Sequence, residues 1–327
     1  MRIFWPGKTC CSLALLAWDT CSHRKLRTVS ASFLSPTRNF VTGSVGSPLQ
    51  NLQGSRYPTS ESTVARMSSE SNTETDVDVA GNLAVVRERI AKVCQELDLP
   101  AEKAPRLVAV SKTKPVPLLQ AAYDAGQRIF GENYAQELVE KVPQLPKDVT
   151  WHYIGALQSN KASKLVSALG DEPHRLVIET VSTIKLANKL NNAVPDVVSD
   201  EEEKKQLRVF VQVNTSGEES KSGVQPLSTE CIELCKHIHS NEACPKLKLQ
   251  GLMTIGAPGD LSCFDTLMKC RDQVAEALAS EDADQEPVIL ELSMGMSGDY
   301  EEAIRAGATN VRVGSTIFGQ RDYSNKN

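Results

Sequence analysis

Several features that would direct a chain to a membrane, a nucleic acid or a metal are missing from this sequence. No apolar run approaches the roughly 18 residues that a membrane-spanning helix needs, and the run Leu13–Ala17 is soon followed by Asp19. The 36 lysines and arginines are outnumbered by 41 aspartates and glutamates, a net charge of -5 that argues against a basic nucleic-acid-binding surface. The nine cysteines include no CxxC pair, so we expect reduced structural thiols and no metal site.

Acidic residues are also missing from the first part of the chain. Between positions 20 and 60 there is no aspartate or glutamate, while arginines and lysines are scattered among serines and threonines. That composition is typical of an organelle transit peptide, so residues 1–66 are predicted to be a mitochondrial or other organelle leader; a secretory signal fits less well. Met67 offers an alternative, because an acidic polar segment follows it, as in a cytoplasmic product that starts there. Residues 67–81 are predicted to be disordered.

From Asn82 onward the sequence becomes periodic. Apolar residues recur at helical spacing between Asn82 and Leu97, which predicts an amphipathic helix that ends before Pro100. Eight short apolar runs follow, separated by stretches compatible with helices. They are Leu107–Ser111, Arg128–Gly131, Trp151–Gly155, Leu176–Thr180, Val209–Asn214, Leu249–Ile255, Ile289–Ser293 and Asn310–Val313.

The pattern of these runs predicts an α/β fold. Continuous rather than alternating apolar strands indicate a parallel sheet covered by helices. Eight such units favour a single closed (β/α)8 barrel, a TIM barrel preceded by an N-terminal helix, over an open doubly wound sheet, which is the alternative. The barrel is predicted to span residues 82–324, with a tail at 325–327.

Candidate chemistry collects where these strands end, which is where barrels of this kind place their sites. Lys112 follows the first strand; a buried amine loses its charge and can condense with an aldehyde, although a lysine there could also merely cover the strand end. The segment after strand seven, Ser293–Tyr300, and that after strand eight, Gly314–Gly319, are rich in small and hydroxyl residues and lead into helix starts, which suits an anion. Together they predict a phosphorylated aldehyde held on Lys112.

Two further positions within the strands carry polar side chains. Arg312 lies inside a valine-rich strand, and a buried guanidinium needs a carboxylate or a ligand as partner. His152, between Trp151 and Tyr153, is either a pocket residue or a hydrogen-bonded core histidine.

Seven segments together resemble the pyridoxal phosphate homeostasis proteins, over residues 82 to 324. They are Leu107–Pro115, Phe130–Tyr134, His152–Gly155, Val213–Thr215, Gly251–Thr254, Leu292–Ser297 and Val311–Ser315.

That resemblance implies a barrel of the alanine racemase N-terminal type, with pyridoxal 5'-phosphate (PLP) held on Lys112 as a Schiff base. It further implies a phosphate site, a group at the pyridine nitrogen and a ring pocket. The residues it assigns to them are Ser297, Gly314, Ser315 and Thr316 for the phosphate, Arg312 for the nitrogen, and Asn133 and His152 for the ring. Met294 is included as a pocket residue, although packing is the simpler interpretation.

The resemblance also implies a function. It implies a PLP-binding protein of vitamin B6 homeostasis that sequesters PLP and delivers it to apo-enzymes, without catalytic residues of its own. Because the sequence stops at Asn327, soon after strand eight, we expect no second domain of the kind that supplies an acid/base group in racemases, and we expect a monomer. The alternatives are a PLP-dependent racemase, a Schiff-base aldolase acting on a phosphorylated sugar, or an interaction protein that has lost its ligand.

Overall fold

The computed structural model describes residues 77–201, 205–280 and 288–320. The predicted leader, most of the predicted polar segment and the tail lie outside those ranges. Within them, no helix is both long enough and apolar enough to cross a membrane.

Eight parallel strands close into a barrel in the order in which they occur along the chain, which confirms the (β/α)8 prediction over the open sheet. The register joins β1 to β8 by pairing Val108 with Arg312, so the ring is complete. The strands are β1 Arg106–Val110, β2 Ile129–Glu132, β3 Thr150–Tyr153, β4 Leu176–Val181, β5 Leu207–Gln212, β6 Leu247–Met253, β7 Glu291–Met296 and β8 Asn310–Val313.

Helices cover the outside of the barrel and bury one face of each strand. The α-helices are α1 Val79–Glu96, α2 Val116–Asp124, α3 Ala135–Lys141, α4 Ala162–Ser167, α5 Ile184–Ala193, α6 Thr229–His239, α7 Ser262–Ala279, α8 Tyr300–Arg305 and α9 Ser315–Phe318. Short 3-10 helices span Ala101–Lys103, Val142–Gln144, Ser159–Lys161 and Pro173–Arg175.

Alternation along the strands divides the side chains between two environments. On β7, Leu292 and Met294 belong to the large core shared with the helices. Inside the barrel, Val177, Phe210 and Met253 form a separate apolar cluster. Polar side chains that face the same way as this inner cluster can therefore meet one another across the barrel.

Most element boundaries differ from the sequence prediction by one or two residues, and those of α1 and β7 differ by up to three. Helix α1 begins at Val79 rather than Asn82, because the side chain of Asp78 accepts a hydrogen bond from the backbone N–H of Gly81 and caps the helix. Strand β7 begins at Glu291 and continues to Met296, whereas the apolar run predicted Ile289–Ser293. Ile289 is 89% exposed, so its apolar character alone misplaced the start of the strand.

Candidate functional site

A cavity of about 270 Å³ opens at the carboxyl end of the barrel, between strands β1, β7 and β8. It brings together five of the residues that the sequence predicts. These are Lys112, Ser297, Arg312, Gly314 and Ser315. A larger groove of about 890 Å³ lies beside α1 and the segment leading into β1, and it contains none of the predicted site residues.

Lys112 lies in a tight turn directly after β1. The backbone N–H of Lys114 donates a hydrogen bond to the carbonyl of Ser111 at 3.1 Å and closes the turn. Lys114 also lines the cavity, and its Nζ donates to the carbonyl of Gln320 at 2.8 Å. Two lysines therefore line the cavity, and the amine of Lys114 is bonded to the chain beyond α9.

The loops after β7 and β8 are joined to each other at the cavity wall. The backbone N–H of Gly314 donates to the hydroxyl of Ser297 at 3.1 Å. A Cβ at position 314 would lie 3.1 Å from the carbonyl oxygen of Val110, a tight approach that favours glycine there. Because the Ser297 hydroxyl accepts the Gly314 bond, its own hydrogen can be donated to an anion.

Arg312 reaches the cavity from inside the barrel and is 4% exposed. Its Nη1 donates to the Ser293 hydroxyl at 2.7 Å, and its Nη2 donates to the carbonyl of Thr254 at 2.8 Å. The sequence predicted that this cation needs a carboxylate or a ligand, and a carboxylate is present: Glu179 Oε2 lies 3.8 Å from Nη1.

Glu179 links Arg312 to His152. Its Oε2 accepts from the Ser293 hydroxyl at 2.6 Å, and its Oε1 lies 2.5 Å from His152 Nδ1. Burial alone would raise the pKa of Glu179, but the hydrogen bond and charge of His152, the charge of Arg312 and the hydrogen bond of Ser293 outweigh it and lower the pKa below its usual value. Burial lowers the pKa of Arg312, against the opposing pull of Glu179, although an arginine stays protonated in proteins.

The remaining four predicted residues do not line the cavity. His152 is buried in the network with Glu179, which matches the hydrogen-bonded core alternative for that residue. Met294 is fully buried in the core shared with the helices, as the packing interpretation predicted, and Thr316 lies one residue beyond the lining residue Ser315. Asn133 has a buried Oδ1 that lacks a hydrogen-bond partner within the described part of the chain.

Sequence reasoning missed buried residues that do not line the cavity but contact the residues that form it or the residues next to them. Glu179 carried a signal, because a carboxylate inside the apolar run Leu176–Val181 must find a partner in the barrel. Glu132 and Lys141, a buried ion pair with Nζ 2.8 Å from Oε1, carried none, since glutamate and lysine are also common on solvated surfaces.

The sequence of this chain is similar to those of several known proteins. The family model described as "Alanine racemase, N-terminal domain" matches residues 82–322. A human protein named pyridoxal phosphate homeostasis protein is 45% identical over 264 residues, which cover 77% of this chain and 90% of that protein. A protein of the same name from Haemophilus influenzae is 39% identical over 256 residues, 76% of this chain and 98% of that protein.

Among solved structures, the PipY protein of Synechococcus elongatus with PLP bound aligns with a TM-score of 0.54 at 29% identity. The alignment covers 74% of this chain and 100% of that one.

Proposed function

The chain belongs to the pyridoxal phosphate homeostasis protein family, and from that membership we propose that it binds PLP and acts in intracellular PLP homeostasis. In this proposal PLP is sequestered in the cavity between β1, β7 and β8 and is handed on to apo-enzymes that require it. The observation that carries the proposal is the meeting of Lys112 with Ser297, Gly314 and Arg312 around one cavity.

The residues of the cavity fit the cofactor chemically. When bound, PLP supplies an aldehyde that condenses with an amine: the nitrogen adds to the aldehyde carbon and the oxygen leaves as water. Lys112 is the amine that would form this bond. The hydroxyls of Ser297 and Ser315 and the backbone amides of their loops would bind the phosphate, because barrels of this type frequently bind phosphate with the loops after strands seven and eight.

Asn133 is a further candidate contact. Its orphaned buried Oδ1 marks an amide group that a bound molecule could engage, since buried polar atoms without partners are uncommon in proteins. The assignment of His152, Met294 and Thr316 to the cofactor stays a prediction. Unlike Lys112, Ser297 and Arg312, these three residues do not line the cavity.

Arg312 supports a role in holding rather than transforming the cofactor. It is the residue that would face the pyridine nitrogen, and a fixed positive charge there disfavours protonation of that nitrogen. An unprotonated pyridine is a poorer electron sink. Glu179, Ser293 and Thr254 keep the guanidinium in place, so we propose a carrier and not a catalyst.

Covalent retention of PLP tests the proposal. Purified protein is incubated with PLP, treated with borohydride, unfolded, and its intact mass measured. We expect one added pyridoxyl group on the wild type, none on Lys112→Ala, and one on Lys114→Ala, which removes the other cavity amine. An unmodified wild type, or equal labelling of Lys112→Ala, would contradict the proposal.

An assay of amino-acid racemisation separates the carrier from the enzyme alternative. We expect PLP-loaded wild type and Lys112→Ala to be equally inactive. Racemisation by the wild type that disappears in Lys112→Ala would instead favour a PLP-dependent enzyme; the same comparison with a phosphorylated sugar would test the aldolase alternative.

We propose that a leader directs the full chain to mitochondria or another organelle, and that a chain initiated at Met67 would be cytoplasmic. The acid-free composition of positions 20–60 supports a leader. N-terminal sequencing of the native protein distinguishes cleavage near residue 66 from initiation at Met67. We also propose that the protein is a monomer, which its mass in solution will test.

A further inference from the structure

A buried ion cluster lies directly behind the turn that carries Lys112. Lys141, the last residue of α3, is only 6% exposed. Its Nζ lies 2.8 Å from Oε1 of Glu132 and 2.9 Å from Oε2 of Glu137. The carboxylate of Glu132, at the end of β2, is fully buried. None of the three side chains lines the cavity, so the cluster would not contact the cofactor.

The cluster reaches the backbone on both sides of Lys112. Before it, Lys141 Nζ donates to the carbonyl of Ser111 at 3.0 Å, and the Ser111 hydroxyl donates to Glu132 at 2.5 Å. After it, the backbone N–H of Thr113 donates to Glu137 Oε2 at 2.7 Å. The same carboxylate oxygen thus accepts from Lys141 and from the residue that follows Lys112.

The turn requires such support because its backbone is strained. Thr113 has φ of +62°, a conformation that glycine or asparagine normally occupies and that disfavours a β-branched residue. A residue of this kind persists only where the surroundings fix it, and such positions cluster at functional sites. The bonds from Lys141 and Glu137 supply that restraint on either side of the lysine.

We propose that Lys141, together with Glu132 and Glu137, is a positioning residue that holds the strained Ser111–Lys114 turn so that Lys112 is presented to the cavity. The inference rests on the proposed function of Lys112. If Lys141 served only to hold α3 against β2, its ion pair with Glu132 would be sufficient. Lys141 also bonds the carbonyl of Ser111 and shares Glu137 with Thr113, and these contacts fix the residues beside the reactive amine.

A double-mutant cycle tests this role. The PLP dissociation constant is measured for wild type and Lys141→Met, and again for both in the Lys112→Ala background, which lacks the amine proposed to form the covalent bond. We expect Lys141→Met to weaken PLP binding by about tenfold or more when Lys112 is present, because small misplacements of a reacting group are costly. In the Lys112→Ala background we expect Lys141→Met to leave the PLP dissociation constant unchanged, since both substitutions act on the same covalent bond between Lys112 and PLP.

A matched control and two further variants complete the design. Lys246 also bonds a backbone carbonyl and a carboxylate, those of Val194 and Asp196, before β6; Lys246→Met should bind PLP as the wild type does. Lys141→Arg, which keeps the charge, should recover part of the affinity. If Lys141→Met does not fold, Glu137→Gln takes its place in the cycle, because the Glu137 carboxylate is partly exposed. Glu137→Gln should likewise weaken PLP binding only when Lys112 is present.

Equal losses in both backgrounds, or no loss with Lys112 present, would overturn the positioning role. Those results leave the proposed function intact, because the wild type would still carry PLP on Lys112. A wild type that takes no covalent PLP overturns the proposed function itself, and the positioning role with it.

Discussion

At the scale of single residues, the site depends on charges that are buried and paired. Arg312 lies against Ser293 and Thr254, with the Glu179 carboxylate next to Ser293. Removing one member of such a network leaves another buried charge without its partner, which strongly lowers the stability of the folded protein. The sequence indicated that Arg312 needs a partner, but Glu179 is remote in the chain and only the barrel brings the two together.

Glu132 makes the stability of the protein depend on pH. Burial raises its pKa to about 7, against the opposing effects of Lys141 and Ser111. Between the ordinary value of 4.5 and about 7, the folded chain therefore holds a proton that the unfolded chain has lost. The stability that this proton contributes is fully present below pH 4.5 and is lost as the pH rises through 7. The total is about 3 kcal/mol.

Glu132→Gln should abolish that dependence. Urea unfolding without PLP, measured from pH 4.5 to pH 8, should show the variant gaining stability relative to wild type as the pH rises, by up to about 3 kcal/mol. Glu233→Gln, at an exposed position of α6, should follow the wild type throughout. Parallel curves for Glu132→Gln and wild type would mean that Glu132 does not titrate in this range.

At the scale of elements, the loops after β7 and β8 act as a pair. The bond from Gly314 N–H to Ser297 joins two segments that the sequence had predicted independently to suit an anion. What sequence patterns could not decide is which side chains of those segments face inward. Strand alternation sends Met294 into the outer core while Ser293 meets Arg312.

Ser297 should discriminate PLP from pyridoxal, which lacks the phosphate. Ser297→Ala removes the hydroxyl and the acceptor for Gly314 N–H, so we expect PLP affinity to fall by about tenfold or more, as for a lost hydrogen bond to a charged group. Affinity for pyridoxal should be unchanged. Thr316→Ala, one residue beyond the cavity lining, should lower PLP affinity less. Equilibrium dialysis measures the affinity of both variants for PLP and for pyridoxal, each against the wild type. Equal losses for PLP and pyridoxal would argue against a phosphate contact.

At the scale of the whole molecule, the barrel was predictable and its interior was not. Eight continuous apolar runs favoured a closed barrel over an open sheet, and the eight strands do close in chain order. The supports of Lys112 are different in kind. The contacts between Ser111 and Lys141, or between Glu179 and Arg312, join residues from separate βα units, and nothing local in the sequence specifies them.

PLP should stabilise the folded barrel as a whole. A ligand that binds only the folded state adds about 2.7 kcal/mol at one hundred times its dissociation constant, so the midpoint of thermal unfolding should rise with PLP concentration. Lys112→Ala should show a smaller rise at the same concentration, because it lacks the covalent bond. Scanning calorimetry of both proteins with and without PLP measures this, and identical shifts would contradict a covalent contribution.

The central claim, that Lys112 and not a neighbouring amine anchors PLP, is tested most directly by peptide mass spectrometry of the borohydride-reduced wild-type protein. We predict a reduced pyridoxyl group on the peptide that contains Lys112, with fragment ions placing it on that residue. A modification found only on Lys114, which lines the same cavity, or on no residue after incubation with PLP, would contradict it.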